Sequence, residues 1–203
     1  MVLALHTPVH ESQVAAWGDL LGDRSLASAI YSNPRLRPRA MVRMAELAGI
    51  DGDELEGERA GALHAVRAVM SDRDRMVRLS GLIVLRGLLH GAVTRAAYEA
   101  LSACVSHDEL DLAAGIAATM PKAPAIQVDP SRIAERITAA GEGLLSMWAA
   151  RLSPVLKKQI EFAFGEDGLA YHGKGVADVP PSEASSIVEL AARGLPGRVH
   201  QEA

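Results

Sequence analysis

Residues 79–89 have the sequence LSGLIVLRGLL, which is the strongest indication of fold in the chain. In a helix, its apolar side chains would cover more than half of the circumference, so neighbours must enclose it. Those side chains are Leu79, Leu82, Ile83, Leu85, Leu88 and Leu89. Gly81 and Gly87 would allow another helix to approach closely, because glycine carries no Cβ. We therefore predict one central helix from about Asp72 to His90.

Apolar residues recur at helical spacing through most of the chain, whereas the alternation typical of strands is almost absent. Alanine and leucine are abundant and favour helices, and aromatic residues make up only 3% of the sequence. Residues able to cap helices precede several of these patterns, among them Thr94, Asp129, Ser153 and, for the helix that ends near Met120, Ser106 or Asp108. We predict an all-α fold, an irregular multi-helix bundle of about eight to ten helices without significant sheet.

The composition changes twice along the chain. Residues 1–165 form the predicted helical domain, which includes a stiff linker between Pro121 and Pro130. Residues 166–181 are rich in glycine and proline, so we predict a flexible loop there. Residues 182–203 are predicted to form a short C-terminal helix, capped by Ser182, and a tail. No fixed-period repeat is present, so a regular helical solenoid is not expected.

Charge and cysteine content exclude several classes of protein. A net charge of -4 removes the broad electrostatic argument for a dedicated nucleic-acid binder. The single cysteine, Cys104, rules out an internal disulfide and a zinc site built from several thiolates, and it fits a reducing cytoplasm. The first residues lack the positive leader of a secretory signal, and residues 79–93 are too interrupted to span a membrane. We expect a cytoplasmic protein that is peripheral to a membrane at most.

No catalytic or cofactor motif is complete. Residues 168–174, GLAYHGK, match most of a phosphate-binding loop, but Gly175 stands where the hydroxyl that binds magnesium is needed. Cys104 and His107 are spaced as a metal-binding pair, yet no second pair accompanies them. We predict no catalytic residue, no cofactor and no metal site, and hence a protein that is not an enzyme.

Two groups of arginines are the clearest positive feature of the sequence. The first group lies within nine residues that contain no acid and consists of Arg35, Arg37, Arg39 and Arg43. The second falls within one narrow arc of the predicted central helix and consists of Arg75, Arg78 and Arg86. Guanidinium groups bind carboxylates and phosphates in planar forks, so both groups are candidate partner-binding residues. The alternative is pairing inside the chain, with Asp51, Asp53, Glu54, Asp72 and Asp74.

The order of these elements resembles a known family. The leucine-rich run at 79–89 leads into Ala100-Leu101 and then into LDLA at residues 110–113. GEGLL at residues 141–145 precedes LSPVLKK at 152–158, where a proline starts a helix that carries basic residues. Over about residues 25–165, this pattern resembles the small helical adaptor of bacterial type III secretion sorting platforms, the YscK/OrgA/NolU-like family.

The resemblance implies a non-enzymatic, cytoplasmic adaptor that works at the inner face of the inner membrane. Such an adaptor links the cytoplasmic domain of the inner-membrane ring to the pod protein, so the expected partners are secretion-apparatus proteins. The family supplies no active-site residues. Two other interpretations stay open. One is a regulatory, helical-repeat-like protein-interaction domain, and the other is a small-molecule-binding helical enzyme with His64, His90 or Lys174 in a pocket.

Overall fold

The computed structural model shows a chain built from helices. It describes residues 14, 17–19, 21–40, 43, 58–91, 95–126, 129–164 and 179–195. Within these residues no strand occurs, and the prediction of an all-α multi-helix fold is confirmed. The helices whose two ends lie within these residues are α1 (Arg24–Ser32), α2 (Ala60–Ser71), α3 (Arg73–Val84), α4 (Gly87–Gly91), α5 (Arg95–Cys104), α6 (His107–Ala118), α7 (Ile133–Ala149), α8 (Pro154–Phe164) and α9 (Pro181–Gly194). Residues 17–19 and 37–40 are also helical. A 3₁₀ turn, Pro130–Arg132, leads directly into α7.

Polar side chains cap three of these elements where the sequence predicts caps. The Ser106 hydroxyl accepts the backbone N–H of Glu109, and the Glu109 carboxylate accepts the N–H of Ser106 at 2.8 Å. This capping box satisfies two backbone donors that the first turn of α6 would otherwise leave unpaired. The Asp129 carboxylate accepts the N–H of Ser131 at 3.0 Å before the 3₁₀ turn, and the Ser153 hydroxyl accepts from the first turn of α8.

The start of α9 differs from its prediction. The helix begins at Pro181, so Ser182 lies within the first turn and is not the cap. Pro180 occupies the cap position and makes no side-chain hydrogen bond. A proline at the first helical position suits this start, because its missing N–H would have no partner within the helix.

The prediction of one continuous central helix from Asp72 to His90 is wrong, because the helix is interrupted. Helix α3 ends at Val84, and α4 begins at Gly87. Beside the break, the Gly87 carbonyl accepts the N–H of Ile126 at 3.0 Å. A Cβ at Gly87 would also overlap the Pro124 carbonyl oxygen. The segment predicted to be a stiff linker therefore packs against the break.

Contacts divide the chain into two units, and the first comprises residues 1–73 and 146–172. Among its described residues, α2 packs against α8. Helix α2 buries one apolar face, whose members are Ala62, Ala65, Val66, Val69 and Met70. Helix α8 buries Val155, Leu156, Gln159 and Ile160. Trp17 and Tyr31 form a separate buried aromatic pair, with ring centroids 4.9 Å apart.

The second unit comprises residues 74–145 and 173–203. In this unit α3 and α7 approach each other closely, because a Cβ at Gly81 would overlap the Ile137 carbonyl and a Cβ at Gly141 would overlap that of Val77. The close approach predicted at Gly81 is therefore confirmed. Helix α9 packs against α6, and α5 packs against the 3₁₀ turn.

Several sequence predictions fall on residues that the structure does not describe. These are the cap at Thr94, the acidic residues 51–57, most of the loop predicted at 166–181, and the phosphate-loop-like residues 168–174. Within the described ranges, no helix has both the length and the apolar character needed to cross a membrane.

Candidate functional site

The first arginine group begins on a short turn, residues 34–36, that follows α1 and continues onto the helical residues after it, and we call residues 33–39 the arginine turn. Asn33 organises this turn, because its side-chain oxygen accepts the N–H of Arg35 at 3.0 Å and that of Leu36 at 3.3 Å. The Asn33 carbonyl also accepts the N–H of Arg37 at 2.9 Å. Asparagine commonly bonds to backbone two residues ahead in this way. Asn33 therefore accepts hydrogen bonds from three backbone N–H groups of the arginine turn.

The arginine turn is anchored to the core of the first unit through Tyr31. The Cζ atom of Arg37 lies 5.6 Å from the centroid of the Tyr31 ring, within the range of a cation–π interaction. Tyr31 is only 2% exposed and packs on Trp17. Burial raises the pKa of the Tyr31 hydroxyl, and the nearby Arg37 charge opposes that shift. The aromatic pair thus fixes the position of one guanidinium.

The remaining side chains of the first group point toward solvent. Arg35, Arg39 and Arg43 are exposed, and Arg37 is partly exposed. Three of the internal partners suggested by the sequence, the acids at positions 51, 53 and 54, lie outside the described residues. The structure therefore presents exposed guanidinium groups on the first unit, those of Arg35 and Arg39 among them.

The second arginine group is placed differently, in the second unit. The Nη2 atom of Arg78 donates to Oε1 of Glu109 at 2.8 Å, and its Nε donates to the same oxygen at 3.2 Å. The Nε atom of Arg75 lies 3.8 Å from that oxygen. Arg86 lies in the break after α3, where its Nε donates to the Pro121 carbonyl at 3.0 Å. These contacts tie α3 to α6 and to the segment before α7.

Glu109 is the partner that the sequence analysis missed. Its side chain is 3% exposed. Burial acts to raise its pKa, but hydrogen bonds from Arg78 and Ser106 outweigh burial and hold the pKa below its ordinary value. A lowered folded-state pKa means that the carboxylate favours folding at neutral pH, and this contribution is lost as the pH falls through that lowered value. The capping pattern from Ser106 to Glu109 was the available signal, although it does not predict which arginines approach.

The described part of the chain places the hydroxyl of Tyr98 3.5 Å from Nε2 of His107, on two exposed residues that could take part in catalysis. Within it, no three His, Cys, Asp or Glu side chains are arranged to hold a metal ion. His64 is half-buried on α2, whereas Lys174 and the side chain of His90 lie outside the described residues. Cys104 donates weakly to the Leu101 carbonyl at 3.3 Å, and burial raises the pKa of its thiol. A raised pKa lowers the fraction of reactive thiolate.

Two buried polar side chains of the first unit were also missed by the sequence analysis. Gln159 is fully buried on α8, and neither its amide oxygen nor its amide nitrogen has a hydrogen-bond partner among the described residues. Trp148 is 1% exposed, and its indole N–H likewise has no hydrogen-bond partner among the described residues. The local sequence does not predict that Gln159 is buried without a partner. A glutamine in a helix is ordinarily exposed.

Comparison of the chain with protein-family models, with curated proteins and with solved structures finds no match.

Proposed function

We propose that this protein is a non-enzymatic adaptor that binds an acidic surface of another protein through its arginine turn. The observation that carries the proposal is the exposure of Arg35 and Arg39, one on the turn that Asn33 fixes and the other on the helical residues that follow it. An exposed cationic group on an ordered backbone can meet carboxylates without first ordering the chain.

The chemistry of arginine supports a protein partner with carboxylates. A guanidinium group presents its donors in a planar fork that matches a carboxylate, and it is less strongly hydrated than an ammonium group. Complementary charge across an interface speeds association and selects the partner. The protein as a whole carries a net charge of -4, so the positive charge of the arginine turn is a local feature and not a general one.

The resemblance to secretion sorting-platform adaptors supplies specific partners for this proposal. In that setting the protein acts in the bacterial cytoplasm, at the inner face of the inner membrane. It links the cytoplasmic domain of the ring protein to the pod protein, and it uses no cofactor. The arginine turn contacts one of these two proteins.

The test is assembly of a ternary complex from purified proteins of one secretion apparatus. The protein, the ring cytoplasmic domain and the pod protein are mixed and separated by size-exclusion chromatography at moderate salt. We expect one complex that contains all three. The double variant Arg37→Glu/Arg39→Glu should lose one of the two partners, because charge reversal opposes association with acidic groups.

A matched control variant changes the net charge by the same amount as Arg37→Glu/Arg39→Glu. Arg136 and Arg151 are exposed and lie outside both arginine groups. The variant Arg136→Glu/Arg151→Glu should form the ternary complex as the wild type does. Absence of any complex with the wild-type chain would contradict the adaptor function, and an intact complex with Arg37→Glu/Arg39→Glu would contradict the role of the arginine turn.

A further inference from the structure

An apolar side chain lies exposed within the arginine turn. Leu36 is 50% exposed, between Arg35 and Arg37. In the part of the chain that the structure describes, Leu26 and Tyr98 are the other large hydrophobic residues exposed to this degree. Single exposed leucines are ordinary on protein surfaces, so exposure alone assigns no role to Leu36.

The surroundings of Leu36 distinguish it from an ordinary surface leucine. Its N–H is held by the side-chain oxygen of Asn33 at 3.3 Å and by the Asn33 carbonyl at 3.2 Å. Pro34 and Pro38 lie within the arginine turn on either side of Leu36, and each fixes its own φ angle. The turn is therefore ordered before any partner binds, and little conformational entropy is lost on binding.

We propose that the partner of the arginine turn presents an acidic segment with one apolar side chain at its centre. That side chain packs on Leu36, while the flanking carboxylates bind Arg35 and Arg39. This inference rests on the proposed function and names the chemistry of the partner. Apolar contact surrounded by charge pairs is the arrangement that concentrates binding energy in protein interfaces.

A protein segment fits this surface better than an anionic membrane does. Proteins that bind membrane surfaces present a continuous apolar face, with basic residues beside it. The arginine turn instead offers one exposed leucine between arginines.

The test measures the affinity of the full chain for short synthetic peptides by fluorescence anisotropy. One peptide carries a leucine among aspartates and glutamates, and a second replaces that leucine with serine. We expect the leucine peptide to bind about tenfold more tightly, the effect of burying part of one leucine side chain. The variant Leu36→Ala should remove this difference, and Leu26→Ala, which alters an equally exposed leucine, should retain it.

Three results would overturn the inference. These are equal affinity of the wild type for the two peptides, a difference that persists in Leu36→Ala, and tighter binding to phosphatidylserine vesicles than to either peptide. The peptide measurement contains no secretion protein. A tenfold preference without a ternary complex would therefore refute only the adaptor function, and a ternary complex without the preference would refute only the inference about Leu36.

Discussion

Gln159 has an environment that is unusual for a polar side chain in a protein interior. Its amide is fully buried on α8 without a hydrogen-bond partner among the described residues. A buried polar group left unpaired costs about 1–3 kcal/mol of stability. We therefore expect Gln159→Met, which keeps the length of the side chain, to raise the free energy of unfolding by about 1 kcal/mol. Urea denaturation followed by circular dichroism measures this change.

A second substitution at the same position provides the control. Gln159→Glu is nearly identical in shape but places a carboxyl group in the same buried site, so it should lower the free energy of unfolding. If Gln159→Met instead lowered it, the glutamine amide would have to be paired in solution, and the account of this site would be wrong.

The two arginine groups show what residue spacing can and cannot predict. Both groups are equally visible in the sequence, yet Arg78 binds a buried carboxylate while Arg39 faces solvent. The difference depends on Glu109, which is 31 residues from Arg78 and approaches it only because α6 packs near α3. Spacing along one helix predicts which side chains share a face. Spacing does not predict which side chains of another helix contact that face.

Among the helices, two glycines lie where the backbones of neighbouring helices contact each other. Gly81 on α3 and Gly141 on α7 allow the two helices to cross in backbone contact. The sequence predicted the approach at Gly81 from its place inside an apolar helix. It did not predict that α3 would end at Val84, because the break packs against residues 124–126, which are distant in sequence.

Substituting alanine for two helical glycines should have opposite effects. At Gly81 the added Cβ would overlap the backbone of α7, so we expect Gly81→Ala to lower the free energy of unfolding by about 2 kcal/mol. Gly115 lies exposed on α6 with no atom within 4 Å of an added Cβ, so Gly115→Ala should raise it by up to about 1 kcal/mol. Thermal unfolding of both variants measures the two effects. A stable Gly81→Ala variant would refute the close crossing.

Across the whole molecule, neither unit is continuous in sequence. The first is built from residues 1–73 and 146–172, and the second from residues 74–145 and 173–203. The core of each unit is therefore complete only when the later segment of the chain packs onto the earlier one. In the second unit the returning element is α9, whose Ile187, Val188 and Ala191 are fully buried. The late segment thus completes a core that begins about a hundred residues earlier, a separation that slows folding.

Removal of α9 should expose its packing surface on α6. This helix contacts α6, and a Cβ at Gly194 would overlap the side chain of Leu112. A chain that ends at residue 178 should therefore lose hydrogen-exchange protection in α6, because burial by α9 is what closes that face to solvent. A chain that ends at Leu195 keeps the whole of α9 and serves as the control, with α6 as protected as in the full chain. Undiminished protection of α6 without α9 would show that this contact contributes little to the second unit, and mass spectrometry of the two truncated chains distinguishes these outcomes.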